Sequence, residues 1–462
     1  MAGRLSVYQV AKIVRLNVLP GSSTQKGKKA TSFFKNQKAA TVSIPWPSSV
    51  IYGLHQAYST VAEKPKLMEN VTSACLHNSG KTCFVVWKDG FHTEFHSVWL
   101  RQNCHCEMCR HENGQRVLNP ANIPTSSLMQ NLFLEGTKLK VTWSGAYGNH
   151  EGYIPLSFLR EHNYSQESIL ARRKAVKCEK TCSKIPTITF EEIKQSKDGL
   201  LKWLYQINEE GLSIVNGVPT EESMVQEVAE LIGPVEVTIY GNTFDVLVTP
   251  DPINVAYSSV GLDLHMDLAY YESPPGLQLL HCLKFDACVE GGESTFLDAF
   301  ALVDQFRINY PDLFKSLTEI PATFQKVHYK RDNPVHIVNQ KPHIRLNHLG
   351  EVVAVYWATP FEGPLSVDEN EVMRYYLAYE MFAKMIRDSP NLLQHRLQPG
   401  ELVVFNNQRM LHGRQGFQIN GGSRHLKGCY INIDIFKSKT QVYNNLFGDG
   451  RRAKRVGNQC WF

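Results

Sequence analysis

The sequence predicts a mainly β protein: a double-stranded β-helix (jelly roll) domain with helices inserted, preceded by a small β-rich domain. Three observations carry this. Short alternating or apolar runs bounded by turn residues recur over residues 66–160 and again from Pro186 onwards, as strands of packed sheets do. The helical patterns interrupt these runs instead of alternating with them, which points to a double sheet. A basic leader stands apart from both.

The 462 residues suffice for two or three domains. Residues 1–62 hold eight of the 49 Lys and Arg and no acid, which leaves 41 basic against all 44 acidic residues in the rest. The net charge of +5 therefore belongs to the leader, and the body carries no nucleic-acid footprint. Wound as a helix, the leader sets Arg4, Lys12 and Arg15 on one arc and Val7, Val10 and Val14 on the opposite one. That composition predicts a mitochondrial transit peptide over residues 1–60, with a cytoplasmic protein bearing a basic tail as the alternative. No apolar run reaches the length of a membrane span. The eleven cysteines lack the spacing of a secreted disulfide scaffold, so a reducing compartment is expected.

Residues 66–162 read as the small domain, with strands at Thr82–Trp87 and Leu139–Trp143. Within it, Cys104, Cys106 and Cys109 place three thiols in six residues, enough to fix a tetrahedral zinc ion with one further ligand. Spacing leaves His105, His111 and His150 in competition for that place. His162 to Lys184 is charged and poorly patterned and is expected to be a connection; its Cys178 and Cys182 lack further ligands nearby.

The second domain spans 186–450. Thr189 opens a helix, Gly211–Gly217 is a buried strand, and Glu221–Ile232 is an amphipathic helix. Strands follow at Val235–Ile239, Val255–Tyr257, Leu277–His281, Ser294–Leu297, His343–Leu346, Val352–Trp357, Glu401–Phe405 and Cys429–Ile435. One inserted helix follows Asp298 as N-cap. A longer one runs from Ser366 to about Arg387 with Val372, Tyr375, Tyr379, Phe382 and Ile386 on one stripe.

Inside this domain His265 and Asp267 stand two residues apart on a strand-like run, so both side chains point to one face. His412 comes later, beyond the Gly400–Phe405 strand. Two histidines and one carboxylate on one side of a metal, with the other side open, suit a non-haem Fe(II) oxygenase. Arg424, twelve residues on, could grip an acidic co-substrate.

Residues 66–450 resemble the Fe(II)/2-oxoglutarate oxygenases of carnitine synthesis, the γ-butyrobetaine and trimethyllysine dioxygenase family. The resemblance rests on Trp99-Leu-Arg-Gln-Asn-Cys-His-Cys-Glu-Met-Cys, Tyr240-Gly-Asn-Thr, Asn254-Val-Ala-Tyr257, Pro274-Pro-Gly-Leu-Gln-Leu-Leu-His-Cys, Gly291-Gly-Glu-Ser294 and Leu411-His-Gly-Arg. It implies that His265, Asp267 and His412 hold iron, and that 2-oxoglutarate is bound by Arg424, Leu280 and Ser294. It also implies a quaternary-ammonium substrate caged by Tyr240, Phe244, Tyr257 and Tyr430, with Asn254 on its carboxylate. His150 becomes the fourth zinc ligand, closing a structural site. The expected reaction is hydroxylation of γ-butyrobetaine to L-carnitine by O2, with release of succinate and CO2 and ascorbate as reductant; a homodimer is suggested as well.

Two departures bear on the substrate: Phe244 stands where the family carries tryptophan, and Ala358-Thr359 where it carries an Asn-Asn pair. The alternatives are hydroxylation of trimethyllysine or another quaternary-ammonium acid, and a zinc-bearing interaction module with an inactive oxygenase fold.

Overall fold

Alternation of apolar residues builds the first domain. In Thr82–Trp87 the side chains of Cys83, Val85 and Trp87 are buried, and in Lys138–Ser144 those of Leu139, Val141 and Trp143. This period of two sends one face of each strand into a shared core. Val71–His77, Thr82–Trp87 and His92–His96 form one antiparallel sheet, and Leu128–Glu135, Lys138–Ser144 and His150–Pro155 a second. The helix Ser97–Gln102 leads into the cysteine-bearing loop. These elements come from a computed structural model that describes residues 71–144, 149–176, 184–248 and 258–454. The leader, Asn254, Tyr257, Cys178, Cys182 and the expected strand at Val255–Tyr257 lie outside the described residues.

The expected connection instead contains the helix Gln166–Val176. Only Val176 of it is buried, so it has no apolar stripe to betray it. Glu167 in its first turn and Arg173 and Lys174 in its last complement the helix dipole, and Arg173 pairs with Glu351 at 3.3 Å.

Two sheets make the second domain. The larger has the order Thr187–Thr189, Leu212–Asn216, Leu402–Asn406, Leu277–Phe285, Arg424–Ile431, Thr243–Val246. The smaller has the order Leu262–His265, Met410–Arg414, Ser294–Asp298, Leu393–His395. All these pairings are antiparallel except the one between Thr187–Thr189 and Leu212–Asn216. Strand alternation divides the larger sheet between two cores. Leu277, Leu279, Leu402 and Val404 pack outwards with Trp203, Leu204, Val225 and Phe436. Those partners belong to the helices Lys197–Glu210, Met224–Glu230 and Ile433–Phe447. Leu280, Cys282, Val403 and Phe405 point into the roll, against Phe296 and Met410 of the smaller sheet.

The helices Ala299–Asn309, Pro311–Glu319 and Glu369–Arg387 build a further core with Val352–Val355. Asp298 caps the first through Phe300 N, at 3.1 Å. On the longest, Tyr375, Phe382 and Ile386 of the expected stripe are buried. Beside them the strands Pro321–His328 and Val335–Pro342 pair as a hairpin.

Two expected strands and one expected helix differ from what is seen. Residues 235–239 form no strand; Thr238 and Gly241 close a tight turn there. The run expected over Cys429–Ile435 is strand only to Ile431, because the Asn432 side chain accepts from Asp434 N and caps a helix beginning at Ile433. The helix expected over Glu221–Ile232 shortens to Met224–Glu230.

Candidate active site and metal centre

His265 ends one strand of the smaller sheet and His412 lies in its neighbour, directly opposite in register. Cross-strand partners project to the same side, and here both rings enter the roll with centroids 4.4 Å apart. Asp267 follows two residues after His265. The next residue, Leu268, has φ 60°, a left-handed conformation that a β-carbon disfavours. Asn407 clamps that turn: its Oδ1 accepts from Asp267 N at 2.9 Å, and its Nδ2 donates to the carbonyls of Asp267 and Pro275 at 3.0 and 3.2 Å. The carboxylate thereby comes to 3.5 Å from His265 Nε2 and 3.9 Å from His412 Nε2. One ligand atom from each residue lies within 4.8 Å of the other two.

The donor set fits a divalent metal. His265 Nδ1 lies 2.7 Å from the Asp263 carbonyl, and donating there leaves Nε2 with a lone pair facing Asp267. Tyr430 donates to Asp267 Oδ2 at 2.7 Å. Burial opposes ionisation of Asp267, yet its two histidine neighbours and the hydrogen bond from Tyr430 together hold it well below the usual carboxylate range. Burial above all pushes His412 down to about 3, a neutral imidazole able to ligate.

The triad lines one pocket together with Tyr240, Phe244, Leu280, Ser294, Arg424 and Tyr430. Every described residue expected at the iron, co-substrate or substrate positions is thus brought together; Asn254 and Tyr257 lie outside the described residues. Arg424 is 4% exposed and its guanidinium stands 5.2 and 5.6 Å from the Phe285 and Phe417 rings. Its buried Nε has no hydrogen-bond partner among the described residues, a cost in the protein alone that an anionic ligand would remove. Phe244 and Tyr430 stack at 5.0 Å, and Tyr240 stands 6.2 Å from Phe244. Gly428 permits this: a β-carbon there would fall 2.4 Å from the Phe244 ring.

Three polar site residues were not singled out from sequence. Asn407 is one. Arg414 lines the pocket and donates to the carbonyls of Ser258 and Val260, both at 2.7 Å. Gln278 lines it too, 2% exposed, its Oε1 without a partner among the described residues. Gln278 sits in the Pro274–Cys282 motif and Asn407 in the run leading to His412; a polar residue inside an apolar strand pattern was the available signal.

In the first domain His150 Nε2 lies 3.4, 3.7 and 3.6 Å from the sulfurs of Cys104, Cys106 and Cys109. A tetrahedral zinc with ordinary Zn–S and Zn–N bonds sets its ligands about 3.5 Å apart, so these four side chains fit one. His105 is turned away, its Nδ1 2.8 Å from the Asn103 carbonyl. A β-carbon on Gly152 would come 2.2 Å from Cys104 Sγ, so glycine keeps this centre open. Arg101 Nη1 donates to Cys109 Sγ at 3.2 Å, offsetting thiolate charge.

Comparison with known proteins agrees with this architecture. Residues 176–430 match the family model for the taurine catabolism dioxygenase TauD, TfdA family, and residues 75–160 the model "gamma-butyrobetaine hydroxylase-like, N-terminal". The chain is 34% identical to a γ-butyrobetaine dioxygenase of Pseudomonas sp. (strain AK-1), covering 81% of this chain and 97% of that one. It is 28% identical to a trimethyllysine dioxygenase of Meyerozyma guilliermondii, covering 79% and 94%, and 25% identical to the human γ-butyrobetaine dioxygenase, covering 79% and 95%. The chain belongs to the TauD/TfdA dioxygenase family, as a 2-oxoglutarate-dependent dioxygenase of the γ-butyrobetaine dioxygenase-like kind.

Proposed function

We propose that the protein hydroxylates γ-butyrobetaine to L-carnitine, converting 2-oxoglutarate and O2 to succinate and CO2. The observation that carries this is one pocket uniting the His265–Asp267–His412 triad, the buried Arg424 and the aromatic walls Tyr240, Phe244 and Tyr430. Iron held by the triad would supply dioxygen activation coupled to decarboxylation of the keto-acid. The chain's own residues do the rest. Arg424 offers a planar fork to the distal carboxylate of 2-oxoglutarate, Ser294 a hydroxyl beside it, and Leu280 an apolar wall for the methylenes. A trimethylammonium group donates no hydrogen bond, so it is held by aromatic faces and by desolvation. Tyr430 belongs to both halves: its ring walls the cage and its hydroxyl fixes the iron-binding carboxylate. Asn254 and Tyr257 are assigned to the substrate on sequence grounds.

Cys104, Cys106, Cys109 and His150 are proposed to hold a structural zinc, since four protein ligands leave no open position. Ascorbate would keep the iron ferrous. The leader is proposed to direct mitochondrial import, which mass spectrometry of the mature N-terminus tests.

The deciding experiment is a screen for 2-oxoglutarate decarboxylation stimulated by quaternary-ammonium acids, with and without Fe(II) and ascorbate. γ-Butyrobetaine is expected to stimulate most. Stimulation by trimethyllysine alone would move the assignment to the alternative substrate, and stimulation by neither would refute the substrate reading.

A further inference from the structure

Gln278 is a buried polar side chain of the pocket that the protein itself leaves unsatisfied. It is 2% exposed, lines the pocket that holds the triad, and its Oε1 has no hydrogen-bond partner among the described residues. Its strand neighbours cannot serve it: Leu277, Leu279 and Leu280 stand along the chain. Leu277 and Leu279 pack outwards, whereas Gln278 shares the inward face with Leu280 and Cys282. Burying an unpaired amide is costly, and an apolar residue of the same shape would spare that cost. A glutamine here is therefore explained by something that enters the pocket and meets it. No protein partner among the described residues fixes which end of the amide faces inwards, so its N–H groups can turn to a ligand.

Strand register sets this amide at the metal end of the pocket. Directly across from Gln278 on one side is Tyr430, whose hydroxyl donates to Asp267 at 2.7 Å. Directly across on the other side is Phe405, whose ring centroid lies 4.8 Å from that of His412. Gln278 thus stands between two residues that each touch a member of the triad. Arg424 pairs with Phe285, at the far end of the same strand. Asn407 fixes the arrangement, because it bonds the Asp267 backbone and also the Pro275 carbonyl, three residues before Gln278. An α-keto acid chelates a metal through its keto oxygen and one oxygen of the adjoining carboxylate, which leaves the second carboxylate oxygen open to a donor. We propose that the Gln278 amide donates to this carboxylate and anchors the reactive end of 2-oxoglutarate, opposite the end held by Arg424. The inference rests on the 2-oxoglutarate-dependent dioxygenase assignment and is independent of which quaternary-ammonium acid is hydroxylated.

The test titrates Mn(II)-loaded protein with 2-oxoglutarate and with 2-oxovalerate, which keeps the keto-acid head and the chain but lacks the distal carboxylate. Binding is followed by electron paramagnetic resonance in the wild type, Gln278→Met, Gln278→Glu and Arg424→Met. Gln278→Met is expected to weaken both ligands about tenfold, or about 1.4 kcal/mol. Gln278→Glu, which keeps the shape but sets a negative charge beside the ligand, should weaken both further. Arg424→Met should weaken 2-oxoglutarate and leave 2-oxovalerate unchanged. A melting curve without ligand separates a structural role: Gln278→Met should be at least as stable as the wild type, since it removes an unpaired buried amide. Unchanged 2-oxoglutarate affinity in Gln278→Met, a loss that 2-oxovalerate does not share, or a lowered melting temperature that accounts for the loss would overturn the proposal and leave the dioxygenase assignment intact. Failure of the wild type to bind 2-oxoglutarate at all would overturn the co-substrate reading of the pocket as well.

Discussion

Replacing Arg424 probes the co-substrate half of the site with the least disturbance elsewhere. The side chain is 4% exposed and flanked by Phe285 and Phe417, so Arg424→Met keeps an apolar stem against both rings and should leave the fold standing. Burial, reinforced by Arg414, lowers the guanidinium only to about 10, so it stays charged at neutral pH. A hydrogen bond to a charged partner contributes about 1.5–3 kcal/mol. Arg424→Lys retains the charge and loses one prong of the fork, costing roughly 2 kcal/mol, or about 30-fold in affinity. Arg424→Met loses both prongs and should exceed about 100-fold. The assay is calorimetric titration of 2-oxoglutarate into Mn(II)-loaded protein, with a melting curve for each variant. Folded Arg424→Met that binds 2-oxoglutarate within about threefold of the wild type, a margin below about 1 kcal/mol, would refute this anchoring role; the anchor would then pass to Arg414, the other arginine of the pocket.

Three further outcomes follow from the geometry. Gly152→Ala places a methyl 2.2 Å from Cys104 Sγ and 2.9 Å from His150 Nε2; metal analysis should find zinc lost while Mn(II) binding at the triad persists. Tyr430→Phe deletes the 2.7 Å bond to Asp267 and should weaken Mn(II) binding by about tenfold, within the range for a charged hydrogen bond, with KM for γ-butyrobetaine changing less because the ring remains. Burial raises Glu362 to about 7. Between its unfolded and folded values the native state holds a proton that the unfolded chain has released, so this residue's contribution falls as pH rises towards 7. Glu362→Gln should flatten denaturant stability between pH 5 and 7 and gain roughly 2 kcal/mol at pH 8 after allowance for solvent screening.

The reactive core of the site was legible because its information is local. His265 and Asp267 share a strand face by spacing alone, and three cysteines within six residues announce a metal. The histidine that joins the three cysteines was not legible from spacing, since His105 and His111 are nearer in sequence; the family resemblance points to His150, and the pairing of Lys138–Ser144 with His150–Pro155 brings it in. Asn407 illustrates the same limit, since it holds backbone atoms 140 and 132 residues away that no periodicity links. The helix Gln166–Val176 escaped because it buries almost nothing. The helix Ile433–Phe447 was hidden by an apolar run that continues past the strand, where the Asn432 cap, not hydrophobicity, sets the boundary. Strand order in the larger sheet, which sets 277–285 between 402–406 and 424–431, depends on long-range pairing, and the local alternation carries none of it.

His265, Asp267 and His412 are expected to form one metal site that orders the keto-acid. Its most direct test is Mn(II) titration of the zinc-loaded protein, followed by electron paramagnetic resonance, in the wild type and in Asp267→Asn. One tight Mn(II) per chain is expected in the wild type, with a spectrum altered by 2-oxoglutarate, and loss of both in Asp267→Asn with zinc content unchanged. Tight Mn(II) binding that survives in Asp267→Asn and still responds to 2-oxoglutarate would contradict it.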